Sequence, residues 1–289
     1  MTLQKQESFG HLSGPDLDER SFQRIAEFAY ETAGLSIAPT KSAMVRTRLA
    51  RRLRALKITS FGAYCDYFQS VDGTHERTEL ISALTTNVSH FFRENHHFEL
   101  VRENLLPELA KRDQTTEPVR FWSAGCSNGQ EPLSIAMTIN ECGVANRLKN
   151  IKILATDIDP KVIDYARRFE YPQRMLEGLS VDKRSEYFDR LASNTSDPIW
   201  SAKERLRNLI TYRQLNLLGA WPMKGKFDAV FCRNVVIYFD QSTQDQLWEK
   251  FIDILRPGGW LFLGHSERIS EKYLPHFETQ GSTAYRLIR

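Results

Sequence analysis

Apolar positions along this chain follow two different rhythms, and the change between them falls near Thr85. From about Asp16 to Leu84 the spacing is helical. Phe22, Ile25, Ala26 and Ala29 recur at intervals of one turn, and Gly34 is a plausible helix stop. A second helix is predicted over Lys41–Lys57, because Val45, Leu49, Leu53 and Leu56 fall within one narrow arc of a helical wheel. Ser60 is suited to cap a third helix carrying Phe61, Tyr64 and Phe68. No segment here reads as a strand. The pattern predicts a small all-helical domain over residues 15–85, preceded by a tail, Met1 to Gly14, expected to be flexible.

Beyond Thr85 the pattern alternates between strands and helices. Val119–Ala124 reads as a buried strand running into a glycine turn, Leu133–Cys142 as a helix and Ile151–Thr156 as the next strand. Asp164 belongs to the helix that follows. Phe227–Cys232 is a further strand, Ser242–Leu255 a helix, and Trp260–Leu263 a strand after the Pro257-Gly258-Gly259 turn. Such alternation predicts an α/β domain over residues 86–289, with a mostly parallel, Rossmann-like sheet covered by helices on both faces. Ligands of these sheets bind beyond the carboxyl ends of the strands. Glu170 to Arg207 interrupts the alternation and is expected to form a small inserted subdomain.

Composition narrows the class without deciding it. Of 289 residues 41% are hydrophobic and 26% charged, the ordinary globular balance, with ample material for a core. No apolar run approaches the roughly 18 residues of a membrane span, and Met1–Gly14 lacks the apolar stretch of a secretory signal. A cytoplasmic protein without direct membrane insertion is expected. Cys65, Cys126, Cys142 and Cys232 form no CxxC pair and fit reduced thiols. His90, His96, His97 and His265 belong to no HExxH-like array, so no metal is expected. A formal charge of +3 is too small to imply nucleic acid by itself.

The first strand of the alternating region runs into Ser123-Ala124-Gly125-Cys126-Ser127-Asn128-Gly129, followed by Gln130-Glu131-Pro132. Glycines here allow a ligand to approach the backbone closely. The turn is neither GxGxxG nor GxxxxGK[ST], which disfavours a dinucleotide or ATP. Alone, a turn with two glycines is more often a plain structural turn than a ligand loop, by about two to one. The next strand ends in Asp157, placed to accept hydrogen bonds from both ribose hydroxyls of a nucleoside. Equally, Asp157 or Asp159 caps the helix that Pro160 begins. Turn and acid together favour a nucleoside ligand without phosphates, of which S-adenosylmethionine is the commonest on this fold.

Four segments, in order, resemble the signatures of the bacterial chemotaxis receptor methyltransferases (CheR). They are Thr86 to Glu94, Ser123 to Met137, Phe231 to Phe239, and Gly264-His265-Ser266-Glu267. The resemblance runs from about Phe22 to the C-terminus and includes the helical domain in front. It implies an S-adenosylmethionine-dependent methyltransferase that esterifies glutamate side chains of chemoreceptors, leaving S-adenosylhomocysteine. Asn87, Ser89 and Arg93 are implied to reach the cofactor, Glu131 and Asp157 to line its methionyl and ribose portions, and Asn216 and Leu217 to flank its adenine. Arg233 and Asn234 are implied under the reacting centre, and Tyr238 near the transferred methyl group, so that Arg93 and Tyr238 are the candidate catalytic residues. Phe91 and Phe92 read as packing residues. Gln130 replaces the family's usual acid, Leu133 its tyrosine and Ser89 its threonine; Ser89 keeps the hydroxyl and Glu131 a carboxylate.

A glutamate acceptor is already ionised at neutral pH, so the chemistry requires alignment and desolvation rather than a general base. This is consistent with the absence of any Ser-His-Asp or paired-acid constellation. Lys41, Arg46, Arg48, Arg51, Arg52, Arg54 and Lys57 put seven positive charges and no acid on the second helix. A solvated helix face is the usual meaning of such a run. Its one-sidedness suggests a binding surface, and the resemblance implies that the partner is the acidic cytoplasmic helical bundle of a methyl-accepting chemotaxis receptor. Two other readings compete: a non-catalytic cofactor-binding adaptor or sensor, and a nucleic-acid methyltransferase. Against the latter, no Asn/Asp-Pro-Pro-aromatic loop follows the fourth strand. No nucleic-acid partner is expected, and a monomer is. Some family members tether to a receptor peptide through a glycine-containing loop of the insert; Phe188 to Arg207 has no glycine, which disfavours tethering here.

Overall fold

The computed structural model describes residues 15–112, 118–143, 147–148, 150–192 and 196–288; the tail expected over Met1–Gly14 lies outside them. The chain divides into two units, one of Met1–Tyr30 with Ile37–Leu84, the other of Glu31–Ser36 with Thr85–Arg289. No helix among the described residues is long and apolar enough to cross a membrane.

The first unit is built on α1 (Glu19–Ala33), α2 (Ser42–Leu56), α3 (Phe61–Gln69) and α4 (Thr74–Leu84). Asp18 starts α1 by accepting the Ser21 N–H at 2.9 Å, and Ser60 caps α3 by accepting the Ala63 N–H at 3.2 Å. Lys57, in the left-handed conformation, ends α2. The arc of Val45, Leu49 and Leu53 is buried, as are Ile25 of α1 and Tyr64 and Phe68 of α3. The fourth helix escapes the apolar pattern because part of its inward face is charged: Glu76 and Glu79 are buried.

Their partner is Arg52. Its Nε donates to Glu76 Oε1 at 2.9 Å, its Nη1 pairs with Glu79 at 2.8 Å, and the Tyr64 hydroxyl donates to Glu76 Oε1 at 2.8 Å. The basic run along α2 is therefore divided between solvent and internal partners. Arg52 is turned inward, Arg46 pairs with Asp16 at 3.0 Å, and Arg48 donates to the Leu84 carbonyl. Lys41, Arg51, Arg54 and Lys57 remain exposed.

The second unit opens with α5 (His96–Leu100), which passes through a π-helical turn at Val101–Leu105 into α6 (Leu106–Leu109). There follow β1 (Val119–Ala124), α7 (Gln130–Glu141), β2 (Ile151–Asp157) and α8 (Pro160–Arg167). The interruption contains β3 (Glu170–Pro172), α9 (Val181–Tyr187), β4 (Phe188–Arg190), β5 (Ile199–Ala202) and α10 (Glu204–Arg207). Then come β6 (Ile210–Gln214), β7 (Phe227–Cys232), α11 (Gln241–Ile254), β8 (Leu255–Leu263), β9 (Phe277–Gly281) and β10 (Ala284–Leu287).

The main sheet has the order β6-β2-β1-β7-β8-β10-β9. Its first five strands are parallel, and β10 runs antiparallel to both neighbours. The inserted strands make a separate antiparallel sheet, β3-β5-β4. One face of the main sheet packs Phe121, Ala229 and Phe231 with Leu133, Ala136 and Met137 of α7. The other packs Trp122, Val230 and Cys232 with Leu247, Trp248 and Phe251 of α11. Both central strands are buried on both faces, as parallel strands under helices must be.

Removing one partner from a buried ion cluster leaves an uncompensated charge, at a cost of about 3–5 kcal/mol. Glu76→Ala is therefore expected to destabilise the helical unit by about 3 kcal/mol in urea unfolding of the full chain. A change below about 1 kcal/mol would show the cluster to be peripheral to stability.

Candidate active site

Backbone geometry fixes the turn after β1 before any side chain acts. Gly125 and Gly129 lie at φ +95° and +86°. A Cβ on Gly125 would sit 2.3 Å from Val235 Cγ2, and one on Gly129 would meet the Tyr212 and Tyr171 hydroxyls at 2.6 and 2.8 Å. Glycine is required at both places. The amides of Gly125 and Cys126 each donate to the Thr156 carbonyl at 2.8 Å, and the Tyr171 hydroxyl of β3 donates to the Asn128 carbonyl at 2.8 Å.

Asp157 closes β2 beside this turn. Its Oδ2 accepts the Ser127 N–H at 2.8 Å and its Oδ1 the Asp159 N–H at 3.0 Å. Burial pushes its carboxyl up, against the pull of these bonds. The helix cap is Asp159, whose Oδ1 accepts the Lys161 N–H at 2.9 Å. The alternative left open by the sequence is thereby resolved: Asp159 caps α8. Asp157 braces the turn through backbone N–H groups on either side of it.

Arg233, at the end of β7, is the centre of charge. Its side chain is 2% exposed and forms ion pairs with Glu94 and Glu131, both at 3.2 Å. It also donates to the Arg93 carbonyl and lies 5.5 Å from the centroid of the Phe98 ring. Glu131 accepts the Ser123 hydroxyl at 2.6 Å; burial raises its carboxyl while Arg233 opposes the rise. Burial works on Glu94 too, but Arg233 and the His265 contacts prevail and hold it at about 2. The His265 N–H and Nδ1 both lie 3.1 Å from Glu94 Oε1.

A cavity of about 430 Å³ opens beyond the carboxyl ends of β1, β2, β6 and β7, within the usual range for small-molecule sites. Asn87, Ser89, Arg93, Glu131, Asp157, Asn216, Leu217, Arg233, Asn234 and Tyr238 all line it. Some of these side chains are also engaged within the protein. Asn87 Nδ2 donates to Asp159 at 2.9 Å, Arg93 Nη1 to the Val88 carbonyl at 3.2 Å, and Asn216 Nδ2 to the Thr32 carbonyl at 2.7 Å. Gln130 and Leu133, where the sequence departs from the CheR pattern, are buried and do not line the cavity. Phe91 is buried, with its ring edge-on to Tyr171 and Phe188. The sequence reading passed over the roles of Glu94 and Glu267. Each sits in a recognised segment, and an acid beside a buried arginine or a tight glycine turn was the available signal.

The wall combines carboxylates at Glu131 and Asp157, a guanidinium at Arg93, apolar surface at Leu217 and Ile158, and a cradle at Gly125 that a side chain would fill. This donor set fits a ligand carrying an ammonium, a carboxylate, ribose hydroxyls and a flat base.

Comparison with known proteins gives the same answer. The family profile described as "CheR methyltransferase, SAM binding domain" matches residues 87–286, and "CheR methyltransferase, all-alpha domain" matches residues 20–85. The chain belongs to the CheR methyltransferase family. It is 44% identical to a probable chemotaxis protein methyltransferase of Rhizobium etli, over 89% of this chain and 96% of that one. It is 43% identical to chemotaxis protein methyltransferase 2 of Pseudomonas aeruginosa, over 85% of each chain. With the chemotaxis protein methyltransferase of Escherichia coli it shares 38% identity over 94% of this chain and 92% of that one. As a CheR methyltransferase it depends on S-adenosylmethionine and acts in chemotaxis.

Two measurements probe this site. Burial and the Arg233 charge hold His97 at about 3, against an ordinary 6.5, so the folded protein keeps its ring neutral. The stability from this group is therefore complete above pH 6.5 and is lost as pH falls toward 3. Between pH 7.5 and 5 the loss should be about 2 kcal/mol, visible in urea titrations and absent from His97→Gln. Second, Asp157→Ala should weaken S-adenosylhomocysteine binding at least about tenfold by calorimetry, from lost charge-assisted hydrogen bonds. Unchanged affinity would remove Asp157 from the cofactor contacts.

Proposed function

We propose that this chain is a protein-glutamate O-methyltransferase that forms methyl esters on glutamate side chains in the cytoplasmic domains of chemoreceptors. The observation that carries this reading is that Arg93 and Tyr238, two hydrogen-bond donors, line the same cavity as the carboxylates Glu131 and Asp157. Donors suit a carboxylate acceptor; the carboxylates suit the cofactor's ammonium and ribose.

S-adenosylmethionine, when bound, supplies a methyl group on a positively charged sulfur. Asp157 and Glu131 hold the ribose and methionyl ends, Asn216 and Leu217 flank the base, and Asn87, Ser89 and Arg93 reach in from the segment after Thr85. Arg233 and Asn234 form the floor under the reacting centre. An unperturbed glutamate has a pKa of about 4.3, so the acceptor arrives ionised and no residue need take its proton. The chain's task is to orient that carboxylate, through Arg93 and the Tyr238 hydroxyl, and to strip it of water. The departures from the family pattern at Gln130 and Leu133 bear on the alternative of a non-catalytic adaptor. Both lie off the cavity wall, which favours turnover.

The acidic receptor bundle is read by the exposed cations of α2 and its C-cap, chiefly Arg51, Arg54 and Lys57, with Arg46 and Arg48 at the margin. Arg52 contributes indirectly, by holding α2 to α4. Transfer of a labelled methyl group to a receptor cytoplasmic fragment, followed by mild base, tests the chemistry: an ester is lost, whereas a methylated amine or base persists. In the same assay, Arg51→Glu with Arg54→Glu should lower kcat/KM for receptor about ten- to a hundredfold, leaving S-adenosylhomocysteine affinity unchanged. Wild-type methylation should also weaken as salt rises. Base-stable label would reject the ester, and normal kinetics in the reversed variant would reject the docking surface.

A further inference from the structure

The segment after β7 carries much of the cavity wall. Arg233, Asn234, Val235, Ile237, Tyr238 and Phe239 all line it. Yet this segment belongs to no sheet ladder, and its backbone is held in an unfavourable path. Asn234 sits in the left-handed region at φ +59°, and Val236–Tyr238 form a single 3₁₀ turn. A non-glycine residue at positive φ persists only where its surroundings dictate it.

What dictates it is one buried carboxylate. Glu267 Oε2 accepts the Asn234 N–H at 2.8 Å and the Gly264 N–H at 2.5 Å, while Oε1 accepts the Ile237 N–H at 3.1 Å. The residue is 3% exposed, and its bonds come from backbone amides. Gly264 makes the approach possible: a Cβ there would lie 2.7 Å from the Asn234 nitrogen and 2.8 Å from Glu267 Oε2. The carboxylate thus supplies the acceptors that a continued strand would otherwise provide.

We propose that Glu267 is a positioning residue for methyl transfer, holding the Asn234–Tyr238 turn so that Asn234 and the Tyr238 hydroxyl face the acceptor. It touches neither substrate nor cofactor and acts through the turn. The proposal rests on the reading of this cavity as the reaction site, but part of its test does not involve the acceptor.

Glu267→Gln preserves shape and burial while replacing one acceptor oxygen with an amide NH2, a donor that confronts the same backbone N–H donors. Hydrogen exchange in the protein without ligand should show residues 234–238 exchanging at least tenfold faster, with Phe227–Cys232 of β7 as protected as in wild type. Turnover should fall at least tenfold while the KM for receptor stays within twofold, the pattern of an interaction realised in the transition state. Glu267→Asp, which keeps the charge but shortens the reach, should give an intermediate loss in both readouts, and it decides the matter if the glutamine variant fails to fold. Unchanged exchange in the turn, or a freed turn with normal kcat, overturns the proposal. Absence of receptor methylation by the wild type would instead count against the glutamate reading, leaving the exchange result to stand by itself.

Discussion

The site depends on one buried guanidinium. Arg233 reaches from the end of β7 to two carboxylates at once, Glu94 before α5 and Glu131 in the first turn of α7. Removing so many charges from water is costly, and only mutual pairing with further hydrogen bonds offsets it. The Ser123 hydroxyl on Glu131 and the His265 contacts on Glu94 supply those bonds. As a result, segments far apart in sequence are tied to a single point: the stretch after Thr85, the turn after β1, the end of β7 and the loop after β8. These are the four segments in which the sequence resembles its family.

That convergence explains what could be read in advance. Strands β1, β2, β7 and the Trp260–Leu263 half of β8 announced themselves because buried parallel strands must be almost wholly apolar, whereas Leu255 and Pro257-Gly258-Gly259, expected as a helix end and a turn, belong to β8 as well. The edge strands β6 and β9 did not, since half or more of their residues face solvent. Helix α4 was invisible to a hydrophobic pattern because its inward contacts include Glu76 and Glu79. Helix α7 begins at Gln130, three residues before the expected Leu133, because Gly129 at positive φ releases the chain into a helix with no polar cap. At the cavity, residues contributed by recognised motifs were legible one by one. The partners that hold them were not, because pairing across the fold, as between Glu267 and Asn234, leaves no periodic trace in sequence.

The helical unit shows the same limit from the other side. Seven cations with no acid on one helix looked like a single surface. Folding sorts them: Arg52 is turned to acids contributed by α4, whereas Arg51 and Arg54, one position before it and two after, stay exposed. Angular position on the helix decided which charge became internal.

The inserted strands are not a detachable ornament. Tyr171, in the first of them, bonds the carbonyl of Asn128 and lies under Gly129, so the insert supplies part of the floor of the turn it follows in sequence. Exchanging this subdomain between relatives would therefore exchange a support of the turn after β1 as well. A chimaera joined before Tyr171 transplants that support along with the insert, while one joined after Pro172 leaves it with its own turn. The boundary of the module, as evolution or an engineer could move it, lies inside the small sheet and not at its edge.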